Sequence, residues 1–165
     1  MRKAYTKTGD EGYSRDFSGE KISKSSDVII VGGKIDFLQS AIDLAILKEK
    51  NEKNKIFLEK VQKKLWQLAG QISKAPTKFI TDPVNDKDLE ELENFIDSLG
   101  EPPQKFVRFK TEEEIIINEC RVRCRELEIS LVPLLRNKEL NSIIYSYINR
   151  LSSLFFMMAY KKTKQ

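Results

Sequence analysis

Leu58-Glu59-Lys60-Val61-Gln62-Lys63-Lys64-Leu65-Trp66-Gln67-Leu68-Ala69-Gly70-Gln71-Ile72 sets Leu58, Val61, Leu65, Leu68 and Ile72 at alternating three- and four-residue spacing. That period puts all five on one stripe of an α-helix and leaves lysine and glutamine on the other side, so the segment reads as a clean amphipathic helix. The same period recurs on both sides of it. Upstream, Ile35, Leu38, Ile42, Ala45 and Ile46 mark one helix, closed off by the polar residues 51–54. Downstream, past Pro76 and Pro83, Leu89, Leu92, Ile96 and Leu99 mark another, with Asn85 or Asp86 as its cap and Gly100 as its stop.

After Glu101-Pro102-Pro103 and the irregular run through Phe109, Thr111 followed by Glu114 forms a capping box with an acidic first turn. Ile116, Cys120, Leu127 and Leu131 give this fourth helix an apolar face, and Pro133 is expected to kink or end it. A fifth helix is expected over residues 139–160 on the stripe Leu140, Ile144, Tyr147, Leu151, Leu154 and Met158. The expected fold is therefore all-α, a five-helix bundle of ferritin-like up-down packing with an extended N-terminal loop. The expected layout is a single domain over residues 1–165. Residues 1–32 form an arm with four of the seven glycines, 33–160 the bundle, and 161–165 a solvated basic tail. Val28-Ile29-Ile30-Val31 also passes for a short strand leading into Gly33.

Composition narrows the chemistry. With 165 residues, 40% apolar and 33% charged, the chain has the balance of one soluble globular unit. A formal charge of +4 is too mild to indicate nucleic acid, and the acidic run between Asp86 and Asp97 argues further against it. The absence of histidine excludes a Ser-His pair, a His-ligated zinc and a His proton shuttle. Cys120 and Cys124 alone cannot complete a structural zinc site and read as buried apolar residues in a reducing compartment. The N-terminal residues lack the apolar core of a signal peptide, and the longest apolar run, residues 154–160, is far short of a membrane span, so a cytoplasmic protein is expected.

Two segments could handle anions. Tyr5-Thr6-Lys7-Thr8-Gly9-Asp10-Glu11-Gly12-Tyr13-Ser14 combines glycines, which let backbone N–H groups face an anion, with hydroxyl and ammonium donors, though a tight surface turn would look the same. No Walker A loop occurs. In the fourth helix, Arg121, Arg125 and Glu128 share one face, either a grip for polyphosphate or a surface ion-pair ladder. Asn149 and Arg150 lie in an otherwise apolar helix, and Asp36, flanked by Ile35, Phe37 and Leu38, would need a partner if buried.

In order along the chain, these segments resemble the ATP:cob(I)alamin adenosyltransferases of the propanediol-utilisation type. Tyr5 to Gly12 is similar to that family's Y-T-[KR]-T-G-D-x-G, and Lys24 falls at its lysine after the arm. Gly33-Lys34-Ile35-Asp36-Phe37-Leu38-Gln39-Ser40-Ala41-Ile42 resembles G-x-x-D-E-L-x-S-A-I, and Phe106 the start of F-x-x-P-G-G. Arg121 to Glu128, on to Val132-Pro133-Leu134, follows R-x-x-C-R-R-A-E-R…V-P-L, and Tyr147 to Ser152 follows Y-x-N-R-L-S-D.

The resemblance implies a homotrimer with active sites between subunits, moving the 5′-deoxyadenosyl group of ATP to the cobalt of cob(I)alamin and releasing triphosphate. It implies ATP binding by Thr6, Lys7, Thr8, Gly9, Asp10, Gly12, Ser14, Arg15, Lys24, Arg125, Glu128 and Asn149, with Mg²⁺ accompanying ATP and Glu128 its one candidate protein ligand. Arg125, Asp36 and Arg121 are its implied catalytic set, Asp36 and Arg121 pairing across subunits, and Phe106 its corrinoid contact. A corrinoid reductase is the implied partner; no membrane and no nucleic acid are. The chain departs from the pattern at Phe37, Asn118, Glu126, Ile129 and Ser153, and where P-G-G gives way to Phe109-Lys110-Thr111. Glu126 and Ile129 in place of two arginines, one of them a charge reversal, are expected to weaken polyphosphate binding unless Arg15, Arg108 or Arg123 compensates. The alternative is a relative that binds ATP or corrinoid without efficient turnover.

Overall fold

The computed structural model describes residues 4–163. Helices α1 (Asp27–Lys48), α2 (Glu52–Ile72), α3 (Asp86–Ser98), α4 (Glu112–Arg136) and α5 (Ser142–Lys162) follow a short antiparallel hairpin of β1 (Tyr13–Arg15) and β2 (Lys21–Ser23). A single 3-10 turn, Thr77–Phe79, lies between α2 and α3. The hairpin pairs Tyr13 with Ser23, Ser14 with Ile22 and Arg15 with Lys21. No helix among the described residues is long and apolar enough to cross a membrane.

Sequence caps set most helix starts. Asn51 accepts from the Asn54 N–H, and reciprocal capping boxes join Asn85 to Asp88 and Thr111 to Glu114. The two lysines Lys48 and Lys34 of α1 meet Glu112 and Glu126 of α4, so these helices run antiparallel. α4 is the centre of the bundle, packed on α1 on one side and α5 on the other, with α3 against α5 and α2 against α1. Each helix buries its stripe: Ile35, Leu38 and Ile42 of α1, Leu58, Val61, Leu65 and Leu68 of α2, Leu127 and Leu131 of α4, and Leu151, Leu154 and Phe155 of α5. Phe95 of α3 stacks on Phe57 of α2, with ring centroids 3.8 Å apart.

Several expectations are corrected. α1 begins at Asp27, not near residue 33, so Val28 to Val31 is helical rather than a strand. Val31 is fully buried in the bundle, and tertiary packing overrides its β-branched preference. The arm is not wholly loop, because it carries the β1–β2 hairpin. Pro133 does not end α4, which continues to Arg136. α5 starts at Ser142 behind the cap Asn141. Lys161 and Lys162 belong to α5 rather than to a tail; Lys162 Nζ lies 3.1 Å from the buried Glu49 carboxylate. Residues 164–165 of the expected tail lie outside the described residues.

Candidate functional site

The arm gathers its candidate residues around one cleft of about 750 Å³. Thr6, Lys7, Thr8, Gly9, Asp10, Ser14, Arg15 and Lys24 all line it, together with Glu11, Tyr13 and Lys21. Gly12 does not itself line the cleft; it has φ +80, a conformation glycine adopts without steric penalty. Its carbonyl accepts from the Lys24 N–H, and its own N–H reaches the Gly9 carbonyl. Lys24 Nζ donates to the Gly9 carbonyl at 2.7 Å. A Cβ at Gly9 would stand 2.8 Å from that Nζ, so a side chain there would push the lysine away. Thr6 and Thr8 share a hydrogen bond at 2.8 Å.

The second group lies on α4 and α5. Cys124 Sγ donates to the Ile148 carbonyl at 3.2 Å where the two helices pack, and Arg125 and Asn149 are the next residue of each. Both are exposed. One turn on, Tyr145 Oη donates to Glu128 Oε1 at 3.4 Å. Burial first, and the Glu128 charge second, raise the Tyr145 pKa, so the phenol keeps its proton and remains a donor. Cys120 and Cys124 are fully buried, and burial pushes the Cys120 thiol up to about 12. Neither is a nucleophile.

Asp36 is exposed on α1, so within one protomer it needs no buried partner. It does not meet Arg121 there, whose Nε donates to Asn118 Oδ1 at 2.8 Å. Arg121 lines two neighbouring clefts, of about 430 Å³ with Ser152, Ser153 and Phe156, and of about 400 Å³ with Phe106, Arg108 and Phe156. Phe106 itself is 98% exposed. Asn149 and Arg150 prove to be on the solvent side of α5, and Arg150 pairs with Glu93 at 3.0 Å.

Glu126 is not an uncompensated charge. Its Oε2 lies 3.1 Å from Lys34 Nζ and 3.2 Å from Arg123 Nη1, and Arg123 Nε pairs with Glu119 at 2.8 Å. The Lys34 bond, then the Arg123 bond, hold the Glu126 carboxyl below its ordinary pKa. Phe37 places its ring beside both cations, 5.9 Å from Lys34 and 5.3 Å from Arg123. The two departures at 37 and 126 thus form one locally neutral cluster across α1 and α4, and Arg123 is engaged there.

A family model described as cobalamin adenosyltransferase matches residues 4–162. The chain belongs to this family. Corrinoid adenosyltransferase MMAB of Mus musculus is 33% identical over 174 residues, covering 95% of this chain and 71% of that protein. Corrinoid adenosyltransferase PduO of Citrobacter freundii is 26% identical over 161 residues, 94% of this chain but 48% of that protein, so this chain spans about half its length. Among solved structures, a variant PduO-type ATP:corrinoid adenosyltransferase from Lactobacillus reuteri, complexed with cobalamin and ATP, matches with a TM-score of 0.82 at 21% identity over 98% of this chain and 94% of that one. At that identity the likeness speaks for the fold.

Three features of this cobalamin adenosyltransferase were not read from its sequence. The partnership of Lys34 with Glu126 is one; only the antiparallel pairing of α1 and α4 brings them together. Tyr145 is another, because its bond to Glu128 depends on helix register. The third is the turn over residues 16–20, where Asp16 accepts from the N–H groups of Ser18 and Glu20. The run Asp16-Phe17-Ser18-Gly19 carried the signal for it, an aspartate ahead of a Ser-Gly turn.

Proposed function

We propose that this protein transfers the 5′-deoxyadenosyl group of ATP to the cobalt of a reduced corrinoid, giving adenosylcobalamin and triphosphate. The observation that carries the reading is the gathering of the family-patterned arm residues, Thr6 to Lys24, on one donor-lined cleft in a chain whose family match spans residues 4–162. In the reaction the cobalt electron pair forms the Co–C5′ bond as the bond from C5′ to the triphosphate oxygen breaks. Cobalt goes from Co(I) to Co(III), and the bond electrons leave with triphosphate. The corrinoid is the nucleophile, so the chain's lack of histidine and of an activated cysteine is no obstacle. The task left to protein side chains is to align C5′ with cobalt and to stabilise the polyanionic leaving group.

Lys24, Arg125 and the arm N–H groups are assigned to the triphosphate, Asn149 to orienting the nucleotide, and Phe106 to the corrin face. Glu128 fits Mg²⁺: it is an oxygen donor, half-buried, with Tyr145 bound at one oxygen and the other left for a hard cation. When bound with ATP, Mg²⁺ would neutralise phosphate charge.

A homotrimer with sites between subunits is part of the proposal. Supporting it, Ile30, Phe37 and Leu44 of α1 and Ile115, Val122 and Ile129 of α4 are all exposed, each set spaced seven apart. They form apolar stripes close to Asp36 and Arg125, a surface that a monomer rarely leaves open. A second copy would let Asp36 meet Arg121. A corrinoid reductase as partner and the cytoplasm as compartment complete the reading; the two free, buried thiols suit a reducing environment. Mixing the protein with ATP, Mg²⁺ and chemically reduced cobalamin tests it. Loss of the cob(I)alamin absorbance with formation of adenosylcobalamin is expected, and none above background would overturn the reaction. Light scattering should give three times 19.1 kDa.

A further inference from the structure

The arm is attached to the bundle through the turn over residues 16–20 and the end of α2. Asp16 Oδ1 accepts from Ser18 N, Ser18 Oγ and Glu20 N at 2.9, 2.6 and 3.0 Å, closing residues 16–20 into a turn. Arg15 Nη1 tightens that turn by donating to the Gly19 carbonyl at 2.6 Å. The other Asp16 oxygen, Oδ2, is buried and accepts no hydrogen bond, in a side chain only 2% exposed. The cation facing it is Lys74, whose Nζ lies 3.6 Å from Asp16 Oδ2 and 3.4 Å from Glu20 Oε2. Next to it, the Phe17 N–H donates to the Ser73 carbonyl at 3.1 Å.

Lys74 sits just past the C-cap of α2 with φ +57. Helix ends give this left-handed position to glycine, because a side chain there is strained. As a helix stop alone, lysine is the poorer residue. Its ammonium is what glycine lacks, and that ammonium is spent on the arm. The turn it holds is the closed end of the β1–β2 hairpin, so fixing the turn fixes Ser14, Arg15 and Lys21 along the two strands. Those residues line the arm cleft together with Lys24.

We propose that Lys74 is a positioning residue for nucleotide binding: it clips the turn over residues 16–20 to the end of α2 and holds the arm cleft in its ATP-ready shape. The inference rests on the adenosyltransferase reading. An arm ordered before ATP arrives spares the binding step the entropy of ordering it.

Lys74→Gly separates this role from a structural one, since it keeps the left-handed helix end and removes the charge; Lys74→Arg keeps the charge. ATP affinity is read by calorimetry, KM and kcat by adenosyl transfer, and the unfolding midpoint on the same samples. For Lys74→Gly the midpoint should change little, because relief of the left-handed strain offsets the lost pairing with Asp16. Kd and KM for ATP should rise about three- to tenfold, with kcat at saturating ATP unchanged, and Lys74→Arg should recover most of the affinity. Unchanged ATP affinity in Lys74→Gly overturns the proposal, as does an equal loss in Lys74→Arg. Calorimetry needs no turnover, so a wild-type protein that bound ATP but made no adenosylcobalamin would sink the reaction and leave the clip testable.

Discussion

Replacing Phe106 with alanine removes a ring that is 98% exposed in the protomer. Such a ring buries almost no area on folding, so the change should move stability by no more than about 0.5 kcal/mol. A corrin lying against one face of the ring would cover about 100 Å², half of what a large aromatic side chain offers. At about 25 cal/mol per Å², that contact is worth about 2.5 kcal/mol. Cobalamin affinity, or the rate at low cobalamin, should therefore fall about ten- to a hundredfold. The assay follows cob(I)alamin absorbance at saturating ATP over a cobalamin series, with thermal unfolding on the same preparation. Wild-type cobalamin affinity and rate in Phe106→Ala would refute the placement of this ring on the corrin. A fall of several degrees in the midpoint would refute it differently, by showing that the ring packs inside the assembly.

Glu126→Arg restores the residue type of the resembling motif but sets a guanidinium beside Lys34 and Arg123, which now contact the carboxylate at 3.1 and 3.2 Å. Lower thermal stability and no gain in kcat are expected, and a faster enzyme would show that the neutral cluster had been a defect. Lys64, 3% exposed and within 2.9 Å of Asp88 and 2.7 Å of Asp82, should lose about 1–3 kcal/mol in urea unfolding as Lys64→Met, because Asp88 is left without its counter-charge. A neutral Lys64→Met would mean that the aspartates find other partners. Burial alone would raise the pKa of Glu49, but the Asn51 N–H, the Asn54 amide and Lys162 together hold it below its ordinary 4.5. A carboxyl depressed on folding contributes stability above its unfolded pKa and loses it as pH falls through the folded one. Wild type should therefore lose stability more steeply than Glu49→Gln as pH drops below 4.5, and parallel pH curves would contradict this.

The bundle was readable because its helices are locally consistent. The stripes at 35–46, 58–72 and 144–158 and the caps at Asn85 and Thr111 all act within one element, where period and capping chemistry suffice. The start of α1 was not readable: Val28 to Val31 looks like strand in isolation and becomes helix because Val31 enters the core. The same limit divides the site. Arm residues Thr6 to Lys24 could be grouped from sequence because they are close in the chain. Lys34 with Glu126, Tyr145 with Glu128 and Lys74 with Asp16 could not, since each pair is brought together by packing between distant segments. Reading Glu126 alone gave an expected defect; seeing its two cations turns it into a balanced pair.

The proposed assembly makes one demand on neighbouring subunits: the arm of one and the arginine face of the next must serve the same triphosphate. Lys24→Ala and Arg125→Ala each remove one half of that site and should each be inactive. Co-expressed in equal amounts and assembled at random, they should recover about a quarter of wild-type activity, since a random pair of neighbours supplies an intact arm and an intact arginine face about one time in four. Activity that stays at the level of the single variants in verified mixed trimers would show that each protomer binds its nucleotide alone.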